Sequence, residues 1–166
     1  HIVNWVVWFE MKKEKRTPAG AVLSDTILDL LRLNSRILTA GDRLVAPLGL
    51  TSARWQILGT MIVAERPQPV AWIARDMGVN RQNVQRIVND LARDGLVTFQ
   101  PNPHHRRAQL VVLTDEGMKA YDDAMQLQTP WVNDLADGLA PEDIEVMRKV
   151  IAALQRKLED GNAADS

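Results

Sequence analysis

Arg81, Gln82, Asn83, Gln85, Arg86 and Asn89 crowd one short stretch with amides and guanidinium groups. Val84, Ile87, Val88 and Leu91 recur between them at helical spacing. Such a segment is predicted to be an amphipathic helix with its polar groups outward. Asn and Gln can pair bidentately with an adenine edge, and Arg with a guanine edge. The chemistry that suits this row is base readout in a major groove. The alternative is a solvated polar face with no ligand. Asn80 precedes the row as an N-cap and is counted with it as a candidate DNA-binding residue.

A second basic group lies about twenty residues on. His105, Arg106 and Arg107 follow Pro101 and Pro103, whose fixed φ stiffens the approach to them. Arg75–Arg107 holds six arginines against three aspartates, so it carries net +3 in a chain of net −1. A basic island in an acidic body is the expected footprint of a local nucleic-acid face.

Other chemistries find little support. The chain has no cysteine, which removes disulfides, thiolate nucleophiles, cysteine-ligated metals and sensing by thiol oxidation. His104 and His105 are adjacent and poorly placed to share one metal, so no metal site is expected. Asp122 and Asp123 sit on a helix flank and read as solvated. No phosphate-binding glycine loop or dinucleotide fingerprint is present. The expectation is a protein that is not an enzyme and carries no cofactor.

These residues need a scaffold. Ser24 is read as the N-cap of a first helix carrying Ile27, Leu30, Leu31, Ile37, Leu38, Leu44 and Val45 to about Ala46, with Gly41 as a weak point. Pro47-Leu48-Gly49 stops it. Thr51 caps a second helix with Trp55, Leu58, Met61 and Ile62, broken at Arg66-Pro67-Gln68-Pro69. A short third helix shows Val70, Ile73, Ala74 and Met77. Gly78 supplies a turn and Asn80 starts the fourth helix, which ends at Gly95. Two short helices around a glycine turn are the pattern of a helix-turn-helix.

Leu96–Gln100 and Ala108–Leu113 read as strands, rich in Val and Leu. A hairpin with an Arg-tipped loop, directly after a helix, is a wing. Thr114 caps a fifth helix with Met118, Tyr121, Met125, Val132, Leu135 and Leu139, where Pro130 should kink it or remove one backbone bond. Pro141 opens a sixth helix. Ile144, Met147, Ile151, Leu154 and Leu158 make a coiled-coil-like seam on it, and such a seam needs a partner face. The fold class expected is mainly α with a small β-hairpin wing: a winged helix-turn-helix with N- and C-terminal dimerisation helices.

Gly95–Thr114, GLVTFQPNPHHRRAQLVVLT, resembles the corresponding segment of the MarR family of regulators. Gly95, Leu96, Val97, Pro101, Pro103, Arg106, Arg107, Ala108, Leu113 and Thr114 fall into the family's register. The likeness extends outward through Pro47–Trp55 to about residues 24 and 158. It implies a lobe at 51–113 that binds DNA and dimerisation helices at 24–46 and 115–160. It also implies a homodimer on a pseudo-palindromic double-stranded operator, released by a small aromatic or phenolic effector. Arg107 matches the wing arginine that enters the minor groove. Three departures stand out: His105 and Asn102 replace frequent acidic residues, and Phe99 replaces a frequent Arg. The carboxylate that usually braces the wing arginine is therefore missing, and His105 is expected to touch phosphate, more strongly when protonated.

For the effector, Trp55, Met61 and Tyr121 are the candidate aromatic-pocket residues, with Arg32 or Arg36 as a carboxylate anchor. The functional expectation is a sequence-specific transcriptional regulator that acts as a ligand-released repressor. A winged-helix protein–protein adaptor is the alternative, but it would need apolar anchors at the wing tip and on the fourth helix. Residues 1–20 form an N-terminal arm, or a remnant of cloning or upstream translation. Ile2–Phe9 is nearly all apolar, but basic residues follow it, the wrong order for a secretory signal. No apolar run is long enough to span a bilayer, and a cytoplasmic protein without membrane association is expected.

Overall fold

The computed structural model describes residues 15–164. Residues 1–14 of the N-terminal arm, with Trp5 and Trp8, lie outside them, and Pro18–Gly20 at its other end belong to the first helix. The elements run in the order α1 (Pro18–Val45), α2 (Ser52–Ala64), β1 (Gln68–Pro69), α3 (Val70–Met77), α4 (Arg81–Arg93), β2 (Val97–Gln100), β3 (Leu110–Leu113), α5 (Asp115–Ala136) and α6 (Pro141–Ala164). This is the mainly helical, winged helix-turn-helix class the sequence predicts. One compact unit ends at Ala124 and a second runs from Met125 onward.

In the first unit, Val45, Leu50, Ile57, Leu58, Ile73, Val84, Val88, Leu91, Val97 and Val111 form one buried cluster. It draws on α1, α2, α3, α4 and the sheet, so the helix that carries the polar row is fixed by its opposite, apolar side. The sheet is antiparallel in the order β1-β3-β2. Val97 pairs with Leu113 and Gln100 with Leu110, while Gln68 pairs with Val111.

Several boundaries differ from the sequence reading. α1 starts at Pro18, six residues before Ser24. Thr17 caps it by accepting from the Gly20 N–H at 3.0 Å, with Pro18 at the first helical position. Proline loses nothing there, because that N–H has no helical partner anyway. α1 runs through Gly41, which is also a close approach. A Cβ at this position would lie 2.5 Å from Ser52 Oγ, whose hydroxyl donates to the Leu38 carbonyl. β1 is a strand that the proline-flanked break concealed. Thr51 caps α2 as expected, accepting from the Arg54 N–H at 3.2 Å.

α5 runs through Pro130 without interruption. Pro130 has no N–H to give the Gln126 carbonyl, so one helical bond is absent. In the second unit, α6 opens at Pro141 and continues past the Leu158 end of the expected seam. Met147 and Leu158 of that seam are exposed, and Ile144, Ile151 and Leu154 are half-buried.

Candidate nucleic-acid interface

The turn between α3 and α4 is built by two residues. Gly78 adopts φ +66°, a conformation that a side chain rarely tolerates, and its N–H closes the end of α3. Asn80 Oδ1 then accepts from the N–H groups of Gln82 at 2.8 Å and Asn83 at 3.4 Å. The carboxamide oxygen of Asn80 is therefore spent on capping, and only its amide nitrogen remains for another partner. At the far end Gly95, at φ +77°, lets the N–H groups of Gly95 and Leu96 turn back to Ala92 and Leu91. That double bond pattern is a Schellman stop.

Between these caps, Arg81, Gln82, Asn83, Arg86 and Asn89 are exposed and Gln85 is half-buried. Gln85 donates to Asn89 Oδ1 at 3.0 Å, so these two amides form a closed pair one turn apart. Arg81, Gln82, Asn83 and Arg86 are the members of the row whose side chains take no hydrogen bond among the described residues.

The wing loop is ordered by its own backbone. Asn102 Oδ1 accepts from the His104 N–H at 3.0 Å, an Asx turn. The His105 N–H reaches the Asn102 carbonyl, and the Ala108 N–H reaches the His105 carbonyl. Two consecutive turns therefore present His104, His105, Arg106 and Arg107 at an exposed tip. Asn102, where the family often has an acidic residue, performs this turn chemistry without a charge.

The island's charges separate cleanly. Asp76 pairs with Arg75, Asp90 with Arg93, and Asp94 with Arg54. Arg54 is only 17% exposed in its side chain. It also donates to the Gly49 carbonyl at 3.0 Å, so it ties the α1–α2 turn to the end of α4. All three aspartates are thus occupied. Arg81, Arg86, Arg106 and Arg107 have no ion pair among the described residues, and they sit on the two elements suited to enter grooves.

One cluster escaped the sequence reading. Gln68, 4% exposed, donates its amide to Asp76 Oδ2 at 3.0 Å. That bond holds the Asp76 carboxyl below its usual range, helped by Arg75 and Arg66. Trp72 stands beside it, with the guanidinium carbons of Arg66 and Arg75 at 5.4 and 5.5 Å from its ring centre. Trp72 and Arg75 one turn apart were a visible signal; Arg66 was not.

The expected effector residues are dispersed. Met61 lines an open hollow of about 270 Å³ together with Ile62, Glu65, Val111, Leu113 and Met118. Tyr121 packs on Gly59, where a Cβ would lie 3.3 Å from the ring, and Trp55 is half-buried against the same core. Arg32 is exposed and faces Asp29 at 3.8 Å. Arg36 lines a separate shallow hollow on α1 with Ser35, Thr39 and Arg43. Neither arginine lines the Met61 hollow. Among the described residues no three His, Cys, Asp or Glu side chains gather to hold a metal, and no helix is long and apolar enough to cross a membrane.

A profile described as MarR family matches residues 48–108. An uncharacterized protein of Mycobacterium tuberculosis is 35% identical over 133 residues, covering 78% of this chain and 92% of that one. The transcriptional activatory protein BadR of Rhodopseudomonas palustris is 27% identical over 136 residues, covering 76% of this chain and 75% of its own. Among solved structures, CouR from Rhodococcus jostii RHA1 bound to p-coumaroyl-CoA superposes with a TM-score of 0.69 at 26% identity. That match covers 80% of this chain and 93% of CouR.

Proposed function

This chain belongs to the MarR family of transcriptional regulators, and from that premise we propose that it is a sequence-specific DNA-binding repressor, released from its operator by a small aromatic ligand. The observation that carries the DNA reading is the set of four unpaired guanidinium groups on α4 and the wing tip, beside the free amides of Gln82 and Asn83. α4 supplies the base-reading side chains, and Arg106 and Arg107 lie over the flanking minor groove. An adaptor would present apolar anchors on these surfaces, and they carry none.

The ligand class is supported by CouR, which binds an aromatic acyl thioester. BadR, named for activation, makes the sign of regulation a second matter for test. Genomic fragments captured by the protein should share a pseudo-palindromic sequence. Affinity for it should fall with salt at a log–log slope of about −0.9 per phosphate neutralised. A flat salt dependence would exclude the DNA reading. In transcription reactions on the captured promoter, added protein should lower output and an aromatic ligand should restore it; a rise in output would assign activation.

The regulator is further proposed to be a homodimer. Val22, Leu28, Leu31 and Leu33 of α1 are exposed, as are Met147 and Leu158 of α6. So much bare apolar surface on helices is a protein–protein contact face. Sedimentation should give one species of twice the chain mass at micromolar concentration. A stable, folded monomer there would refute this assignment.

A further inference from the structure

We propose that Arg66, Trp72 and Arg75 form a second DNA contact, one that holds a backbone phosphate beside the bases read by α4. The proposal rests on the reading of α4 as the groove-entering helix. Trp72 is 40% exposed, although the neighbouring apolar residues Val70 and Ile73 of α3 are buried. An exposed indole on a short helix needs a reason. Its ring carries two guanidinium groups, Arg66 from the segment after α2 and Arg75 from the next turn of α3.

Two cations that converge on one ring repel each other, and the indole face offsets part of that cost. Stacking restrains each guanidinium; the N–H groups of Arg66 take no hydrogen bond among the described residues, and Arg75, which gives Nε and one Nη to Asp76 Oδ1 at 3.4 Å, keeps its other N–H groups for a phosphate. Asp76 faces Arg75 at 3.4 Å and is itself anchored by the buried Gln68 amide. It restrains Arg75 and leaves the cluster at net +1. In a helix-turn-helix the first helix crosses the sugar–phosphate backbone while the second enters the groove. α3 is that first helix, so its outward cations meet an anion already present in the complex. An acidic protein surface has similar chemistry but would leave DNA affinity untouched.

The test uses a duplex selected from random DNA by the full chain. Arg66→Ala and Arg75→Ala should each flatten the log–log salt slope by about 0.9 and weaken binding about tenfold, with base preference unchanged. Trp72→Ala should weaken binding as one arginine does, and Trp72→Phe should retain most of it. Asp76→Asn, which keeps a group that can bond Gln68, should tighten binding and steepen the slope, a gain that misfolding does not imitate. An uncharged methylphosphonate at one position outside the α4 bases should erase the effect of Arg75→Ala. Unchanged slopes in both arginine variants would overturn the proposal. So would unchanged DNA binding with altered transcription by RNA polymerase, which would assign the patch to a protein. If the wild type shows no base preference, the α4 reading fails alone; the slope comparison on any duplex of that length still decides the patch.

Discussion

Gly117→Ala is expected to destabilise the fold by about 3 kcal/mol, the upper part of the range for forced overpacking. An ideal Cβ at Gly117 would lie 2.0 Å from the Leu96 carbonyl oxygen, 3.0 Å from its carbon and 2.8 Å from Leu113 Cδ1. The first two atoms are backbone, and that carbonyl also accepts from the Thr114 N–H at 3.2 Å. Thr114 in turn donates its hydroxyl to the Gly95 carbonyl and accepts from the Gly117 N–H. Both strands of the wing are rooted here, β2 just after Leu96 and β3 ending at Leu113. Leu113 Cδ1 can move aside by a rotamer change, but the Leu96 backbone cannot, so the wing must move with its root. Gly41→Ala meets only a side-chain hydroxyl, and the better helix propensity of alanine offsets part of that clash. It should cost clearly less. Urea unfolding of the three proteins at one fixed concentration checks the order. A Gly117→Ala variant within about 0.5 kcal/mol of wild type, inside the usual scatter of surface changes, would show that the contact relaxes freely.

The contrast between these glycines shows what a sequence can and cannot disclose. Gly78 and Gly95 were legible because their role is local: a helix ends, the chain turns, and a residue without Cβ follows. The roles of Gly41 and Gly117 depend on atoms from another element, so neither shows a local signal. The same division runs through the interface. The apolar face of α4, its Asn80 cap and the proline-stiffened wing are repeating or local patterns. The Gln85–Asn89 pair is local too, but its formation depends on rotamers. The ties from Arg54 to Asp94 and from Gln68 to Asp76 are tertiary, and they occupy two carboxylates that the charge count alone had left free. β1 escaped because two residues have no period and Pro69 argues against a strand. Thr17 escaped because Pro18 and Gly20 follow it and read as breakers, while Ser24 offered a capping residue next to the first apolar repeat.

Arg86→Ala is expected to weaken binding to the preferred operator by about 1–3 kcal/mol and to relax base preference at one position. Arg86 lies on the exposed side of α4, and its neighbours Val84 and Val88 are fully buried, so the helix cannot roll to bring another group into its place. Gln82→Ala should behave alike at a different base. Gln82 gives only its backbone N–H to Asn80, so its side chain is free to read, and the cap survives the substitution. Arg107→Ala should differ in kind. Its position is fixed by the turns from Asn102 to Ala108, and it has no carboxylate partner among the described residues. The narrow minor groove of A·T-rich DNA attracts such a group through its potential, not through base edges. The loss should therefore be greatest on operators with A·T-rich flanks and should shrink when G·C replaces them, while core base preference stays. The measurement is affinity of each variant across single-base core substitutions and across flanks, at one salt concentration. Equal loss for Arg86→Ala on every core sequence would make its contact a phosphate. Equal loss for Arg107→Ala on both flanks would remove the wing from the minor groove.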